Sequence, residues 1–487
     1  MILDFLSRYA FGTILVLVVW VITVVTIANI VMRSRSAAGA WGWSMSVVTL
    51  PFLAVPLYWI FGRQRFRGYM EELVKAKEEN EEFFDELLAS MSPHFAELDE
   101  DQCEYAGVLE RFSERRFTRG NEVCLLIDGR DTFDAIFDGI RTAKEYVLVQ
   151  FFIFRNDDLS HRFRDLLLEK AKEGVRIYFL YDEIGSYSLK KEYTETLKSA
   201  GVEVNAFHST QGKANRFQIN FRNHRKIVVV DGKLGFVGGH NVGDEYLGLN
   251  TKYGRWRDTH VKVVGPGVLS LQMVWLSDWY WATRRIPKLA WKMEIPPEEA
   301  MCGNPDMVAL ALPTGPVESM EGGTMFFLNT INTAKRRLWM ASPYFVTDEG
   351  TRSALQLAAL RGVDVRIMIP ANPDKLLPYL ASFSYLEEME EAGVKILRYA
   401  DGFLHQKVIL VDDDWASVGT ANLDNRSMRL NFEVSMVVLD SRFAKQVEQM
   451  LEIDFQECKL ATARDFTEKP LYQRFAMRAA RLAAPLL

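Results

Sequence analysis

The sequence predicts an α/β protein of two similar domains, each a mixed sheet flanked by helices, with one active site at their interface and a transmembrane helical hairpin in front. Three observations predict it: two uncharged apolar spans near the N-terminus, a strand, helix, strand, helix, strand order that occurs twice, and an H-x-K-x4-D pattern at the corresponding place in each copy. A chain of 487 residues is too long for one ordinary core, and 48% hydrophobic with 25% charged residues excludes wholesale disorder. The net charge of -6 argues against a general coat on nucleic acid, so no nucleic acid is expected as a partner. Cys103, Cys124, Cys302 and Cys458 lie far apart without C-x-x-C spacing, which predicts reduced thiols rather than a zinc site or a disulfide framework.

From Phe11 to Met32 no residue is charged, and a helix needs about 20 apolar positions to cross a bilayer. A second uncharged span, Trp41 to Gly62, carries Pro51 and Pro56 and is rimmed by Trp41, Trp43, Tyr58 and Trp59, aromatics suited to the headgroup zone. Arg33 to Ala40 alone separates the two, which forces a hairpin over residues 1–67. Ala38-Gly39-Ala40 resembles a signal-peptide cleavage site, but the apolar run is too long for one and Arg33 and Arg35 intervene. Arg63, Arg65, Arg67, Lys75 and Lys77 follow the second span, against Arg33 and Arg35 in the loop and Arg8 before it. Positive-inside counting therefore predicts a multi-pass membrane protein whose large C-terminal part faces the cytoplasm.

Residues 68–115 read as a connecting helical segment, with Glu71 to Glu86 rich in Glu and Lys around apolar residues at helical intervals. After it the chain repeats. I-R-T-A-K-E-Y-V-L-V-Q-F-F-I-F from Ile140 resembles I-N-T-A-K-R-R-L-W-M-A-S-P-Y-F from Ile331, and each leads through a helix to a Gly-Val turn (Gly174, Gly362) and a second helix ending at Ala200 or Ala392. Matching points lie 181 to 192 residues apart, the mark of a duplicated domain and not of a solenoid. The expected bounds are 116–290 and 316–470 for the two domains with 291–315 as linker, and Trp275 to Pro305 as the stretch that bridges the halves. Residues 471–487, with Arg474, Arg478 and Arg481 at helical spacing among Phe475, Met477 and Leu482, form an amphipathic segment suited either to a membrane surface or to ordinary packing.

The chemistry lies in the duplicated pattern. His224, Lys226 and Asp231 in H-R-K-I-V-V-V-D match His405, Lys407 and Asp412 in H-Q-K-V-I-L-V-D, and Asn241 and Asn422 stand seventeen residues after each His. A single H-x-K is usually a surface pair, but duplication in register within a chain of seven histidines is not. Along a strand, positions i and i+2 share a face, so two such faces surround one phosphate with two imidazoles, two ammonium groups and the amides of Asn241 and Asn422. Phosphoryl transfer is mostly positioning and charge stabilisation, which these donors supply without a metal or other cofactor. One neutral imidazole attacks phosphorus, and a protonated one serves the leaving alcohol.

Asp231 and Asp412 are out of phase with the His-Lys face and are expected to organise the loop, with Asp231-Gly232 as a hairpin turn. Asp258 and Glu433, which open comparable strands after each motif, are the candidates to orient the imidazoles. His240 stands beside Asn241 as a further lining residue, whereas His94, His161, His208 and His260 read as ordinary surface or core residues. No P-loop, dinucleotide fingerprint, H-E-x-x-H or G-x-S-x-G motif occurs.

These motifs, with their trailing G-x-x-N turns, closely resemble the phospholipase D superfamily. The two N-terminal spans, the G-R-x-R stretch, the motif spacing and the C-terminal A-R-L-A-A-P-L-L resemble its bacterial cardiolipin synthases, over essentially the whole chain. The resemblance implies two phospholipase D-like domains meeting at the site in a bacterial inner-membrane protein. It implies phosphatidyl transfer from one phosphatidylglycerol to another through a phosphohistidine, with release of glycerol. By motif match, His224, Lys226, Asp231, His405, Lys407 and Asp412 take the catalytic positions, with His224 as nucleophile and His405 as acid by analogy. Phosphatidylglycerol and membrane lipids are the implied partners, and association into a homo-oligomer is left open. A phospholipase D acting on another phospholipid, and more distantly a nuclease, share the motifs.

Overall fold

The computed structural model describes residues 2–34, 36–62, 65–208, 210, 220–293, 303, 306–317 and 320–486. The chain divides into two compact units, residues 1–68 with 209–221 and residues 69–208 with 222–487.

In the first unit, α1 (Ile2–Arg33) is followed by α2 (Ala37–Thr49), capped by the Ser36 hydroxyl, which accepts from the Gly39 N–H at 3.1 Å. Pro51 has no N–H and restricts the residue before it, so the second arm breaks at Leu50 before α3 (Pro51–Leu57) and a π-turn over Tyr58–Gly62. The second expected span is therefore two shorter pieces and not one helix. The chain turns back along α1: the Tyr58 hydroxyl donates to Asn29 Oδ1 at 2.9 Å and the Trp59 indole to Thr26 Oγ1 at 3.1 Å, around Ile30, Val47 and Ala54. Among the described residues, Val16–Arg33 is the one stretch long and apolar enough to cross a membrane as a single helix. Leu17, Trp20 and Val21 face outward from it.

The second unit opens with α4 (Tyr69–Glu79), α5 (Glu81–Met91) and α6 (Glu100–Ser113), so the connecting segment is three helices broken at Asn80 and beyond. The first repeat then supplies β1 (Thr118–Ile127), β2 (Tyr146–Phe151), β3 (Arg176–Asp182), β4 (Glu203–Phe207), β5 (Ile227–Val230), β6 (Leu234–Gly238) and β7 (Thr259–Val264). The second supplies β8 (Met307–Thr314), β9 (Arg337–Ala341), β10 (Asp364–Pro370), β11 (Lys395–Tyr399), β12 (Val408–Val411), β13 (Trp415–Gly419), β14 (Asn431–Leu439) and β15 (Cys458–Ala461). They form one sheet in the order β15-β11-β10-β9-β12-β13-β14-β8-β1-β7-β6-β5-β2-β3-β4. Read outward from the β8–β1 junction, where Thr118 opposes Ala309, the two halves run through equivalent strands, with β15 as an extra edge. Parallel ladders join β2, β3 and β4, and antiparallel ones join β5, β6 and β7, so each half is a mixed sheet as expected.

Strand β8 falls inside the stretch expected to be linker. Its run M-V-A-L-A-L-P-T is buried at most positions, so it lacks the alternation that marks a half-exposed strand. Trp275, expected to begin a bridge, lies instead in α10 (Pro266–Thr283), a helix buried almost all round and hence part of the core.

Helices α7 (Asp128–Arg141), α8 (Asp158–Lys172) and α9 (Lys191–Ser199) cover the first half. α11 (Gly322–Thr333), α12 (Glu349–Leu360), α13 (Leu376–Phe383) and α14 (Leu386–Ala392) cover the second. The short α15 (Asn425–Arg429) precedes β14, and α16 (Ser441–Gln456) follows it as α10 follows β7; α17 (Arg464–Thr467) and α18 (Leu471–Arg481) end the chain. Each half keeps its own core, with Phe133, Val149, Phe163 and Phe179 in one and Phe327, Leu355, Ile367 and Met389 in the other. Burying each such side chain contributes about 1.5–3 kcal/mol.

Cys124 is disulfide-bonded, while Cys103 and Cys458 are free. This corrects the expectation of reduced thiols throughout: spacing along a chain does not report which residues the fold brings together.

Candidate active site

In each half an extended segment leads into a central strand: Arg222–Asn223, His224 and Lys226 into β5, and Phe403–Leu404, His405 and Lys407 into β12. Both segments reach into the opposite half. Arg222 and Asn223 pair with Asn431 and Phe432 of β14, and Phe403 and Leu404 pair with Trp256 and Arg257. The His224 N–H donates to the Phe432 carbonyl at 2.9 Å and the His405 N–H to the Arg257 carbonyl at 2.8 Å. The next residue along is the acid in each case. His224 Nδ1 meets Glu433 Oε2 at 2.9 Å, and His405 Nδ1 meets Asp258 Oδ2 at 2.6 Å. Each half therefore orients the imidazole of the other, and with Nδ1 engaged, Nε2 is the atom presented to a substrate. The sequence marks these four residues but not the exchange.

The lysines follow the same pseudosymmetry. Lys226 Nζ donates to the His224 carbonyl at 2.6 Å, and Lys407 Nζ donates to the His405 carbonyl. Both are buried. Burial pushes Lys407 down to about 8 against the pull of Asp258 and Glu433, and pushes Lys226 well below its ordinary range. Burial likewise pushes His224 down to about 4, with Lys226 and Lys407 adding to it against Glu433. Burial, Lys407, Lys226 and His224 hold His405 well below its ordinary value. The site thus favours two neutral imidazoles. A phosphate anion between the ammonium groups offsets their repulsion and lets one imidazole take a proton.

Burial would raise Glu433, but His224, Lys226 and a hydroxyl hold it below the ordinary range. That hydroxyl is Thr420 Oγ1, which donates to Glu433 Oε2 at 2.5 Å, while Ser427 Oγ donates to Oε1 at 2.8 Å. Gly239 stands where Thr420 stands in the other half, and a Cβ there would lie 1.9 Å from Asp258 Oδ1. The glycine of G-G-H-N is thus set by the approach of the carboxylate.

Below each H-x-K, the middle residue is anchored on a helix. Arg225 Nη1 donates to Asp278 Oδ1 of α10 at 2.8 Å, and Gln406 Nε2 donates to Asp454 Oδ2 of α16 at 3.2 Å. Asp454 also receives Arg257, the residue beside Asp258, at 2.7 and 2.8 Å. Sequence reading missed Asp278, Asp454, Thr420 and Ser427. Asp278 carried a signal, as the one charged residue in the otherwise apolar run Pro266–Thr283.

Asp231 and Asp412 do not meet the imidazoles. Both sit at hairpin turns in the left-handed region, at φ 52° and 51°. Asp231 accepts from the backbone N–H groups of Lys144, Glu145 and Tyr146 at 2.7–2.9 Å, and Asp412 from those of Lys335, Arg336 and Arg337 at 2.7–3.0 Å. They tie each hairpin to the start of the neighbouring strand. Asn241 accepts from the Ile153 N–H at 3.1 Å and donates to the Tyr246 hydroxyl at 3.1 Å, and Asn422 donates to Asp424 Oδ2 at 3.4 Å. Each therefore has at most one amide N–H left for a phosphate oxygen. His240 and His260 are fully buried against one another and pushed by that burial to about 3.

The family model for the cardiolipin synthase, phospholipase D-like domain matches residues 136–254 and 327–455, and that for the phospholipase D-nuclease N-terminal segment matches 18–63. A cardiolipin synthase A of Pseudomonas putida (strain W619) is 44% identical over 100% of both chains. The chain belongs to the phospholipase D-like cardiolipin synthases. A second member, cardiolipin synthase A of Pseudomonas aeruginosa (strain LESB58), is 46% identical over 94% of this chain and 92% of its own. The fold is shared with phosphatidylserine synthase of Haemophilus influenzae Rd KW20, at a TM-score of 0.60 and 16% identity over 79% of this chain and 100% of that one. As a cardiolipin synthase of this family the protein is a phosphatidyltransferase, and its N-terminal apolar helix fits membrane association.

Proposed function

We propose that the site moves a phosphatidyl group from one phosphatidylglycerol to a hydroxyl of a second, giving cardiolipin and glycerol. The observation that carries this reading is the reciprocal hold of two neutral imidazoles beside two buried ammonium groups. His224 Nε2 attacks phosphorus; the new N–P bond forms as the P–O bond to glycerol breaks, and His405, protonated once phosphate is bound, gives its proton to the leaving oxygen. The hydroxyl of the second phosphatidylglycerol then loses its proton to His405, its oxygen attacks phosphorus, and the N–P bond breaks. Lys226 and Lys407, with one N–H each from Asn241 and Asn422, balance charge on the non-bridging oxygens. Glu433 and Asp258 hold the ring tautomers and stabilise whichever ring is charged. Asp231 and Asp412 act at a distance by fixing the hairpins.

Labelled phosphatidylglycerol in liposomes tests this. His224→Ala and His405→Ala should each lower cardiolipin formation by about 10³-fold or more. Undiminished turnover in either variant overturns the reading, and phosphatidic acid as the main product would make water the acceptor.

We further propose that both N-terminal arms lie in the membrane as a hairpin, with the catalytic unit in the cytoplasm. Arg65, Arg67, Lys75 and Lys77 beyond the second arm support this. The disulfide at Cys124 weighs the other way, since cytosolic thiols are kept reduced. Protease added outside sealed cells should leave the catalytic unit intact, and its removal would reverse the orientation.

A further inference from the structure

The last helix has two unlike faces. Met477 and Ala480 of α18, with Ala484 beyond it, are buried; Ala480 and Ala484 pack with Val346 and with Ala381 of α13. That contact fixes the rotation of the helix. Its opposite side carries Leu471, Phe475 and Leu482, separated by four and seven positions and so aligned in one stripe, at 80%, 75% and 83% exposure, with Tyr472 beside them. Leaving such side chains in water forgoes about 1.5–3 kcal/mol each.

Charge says what covers the stripe. From Lys469 to Leu487 there is no acidic residue, while Lys469, Arg474, Arg478 and Arg481 are all basic, in a chain of net charge -6. The Arg474 and Arg478 guanidinium groups lie over the Phe466 ring at 5.3 and 5.5 Å, which holds them together along one flank of the helix. Arg481 is paired with Glu388 of the neighbouring helix at 3.2 Å, so its charge is partly offset. A second copy docking through the same stripe would bring Arg474 and Arg478 against their own counterparts, a repulsive contact. A surface that is apolar below and anionic above suits both features at once.

We propose that α18 lies on the surface of an anionic bilayer, with Leu471, Phe475 and Leu482 in the acyl boundary and Arg474 and Arg478 among the headgroups. The proposal rests on the reading that the enzyme draws phosphatidylglycerol from that bilayer. It also gives the contact a use. α13, packed against α18, begins with the exposed Leu376 and Leu377, directly after Lys375. Lys375 is close enough to the site for its charge to act on His405. The helix pair therefore brings the lipid surface to a loop on the approach to the site, which helps a two-chain lipid reach it without leaving the bilayer.

The test uses the full chain in vesicles of phosphatidylglycerol and phosphatidylcholine, with Phe475 replaced by photoreactive benzoylphenylalanine and, as control, the exposed Lys445 of α16 replaced in the same way. Irradiation should give phospholipid adducts at 475, detected by mass, well above those at 445. Adding Arg474→Glu and Arg478→Glu should cut the adduct yield roughly tenfold. Crosslinks to a second copy, equal lipid labelling at both positions, or no lipid adduct at 475 would overturn the proposal. Cardiolipin formation by the unsubstituted protein in the same vesicles is scored separately, so a failure of α18 to meet lipid is distinguished from a failure of the proposed activity.

Discussion

The surroundings of His224 and His405 differ far more than the residues that hold them. Around His224 one ring, Phe152 at 4.9 Å between ring centres, stands among polar neighbours: Glu433 gathers Thr420, Ser427 and Asn431, and Arg222 stands two residues ahead in the same extended segment. Around His405 three rings gather, Trp256 at 5.2 Å, Phe403 at 6.0 Å and Tyr246 at 6.2 Å between ring centres. Phe403 takes the place of Arg222, and Gly239 the place of Thr420. What the halves share is the imidazole, the ammonium on its carbonyl, the acid at Nδ1 and the helix aspartate beneath. The parts that hold each imidazole are the same in both halves, while the walls around them differ.

The comparison breaks most readily at the acids. Glu433→Gln and Asp258→Asn should each lower kcat by about 10²–10⁴-fold, because the ring loses both its tautomer and the partner of its charged form. Turnover of labelled phosphatidylglycerol measures it, and unchanged activity in either variant would show that the half concerned does not need its exchange. Gly239→Ala should cost about 10²-fold, since the new Cβ forces Asp258 to move, whereas Thr420→Ala at the matching position should cost only a few-fold. Equal losses would remove the distinction between the two turns.

The motif aspartates sharpen the shared part. Asp231→Ala and Asp412→Ala should each destabilise the fold by about 1–3 kcal/mol in thermal melts, with kcat per folded molecule altered little. A large fall in kcat without loss of stability would return them to the catalytic group. The smallest effect concerns pH. His224 titrates near 4 when folded against 6.5 when exposed, so between those values the unfolded chain binds more protons, and stability falls as pH drops from about 6.5 to about 4. His224→Gln should lessen that slope in melting curves, and an unaltered slope would mean the imidazole is not held neutral.

Much of this was legible from the chain. Internal repetition located both motifs, and the phase of Asp231 and Asp412 predicted that they would leave the His-Lys face. Asp258 and Glu433 were marked as acids at strand openings, but assigning each to a histidine needs the pairing of Asn223 with Phe432 and of Leu404 with Arg257. Those contacts join residues more than a hundred positions apart, and no local pattern encodes them. Strand β8 was missed for a related reason: buried at the centre of the sheet, it carries no alternation. Asp278 was missed because its partners, Tyr69, Gln150, Asn223 and Arg225, come from distant segments.

The exchange of acids between the halves bears on how such a protein can change over generations. A duplicated enzyme with two self-sufficient centres can let one decay while the other carries the activity. Here each copy supplies the carboxylate that holds the other copy's histidine, so on the proposed mechanism damage to either is felt at once in full. Duplication has brought no redundancy, and selection must guard both copies alike.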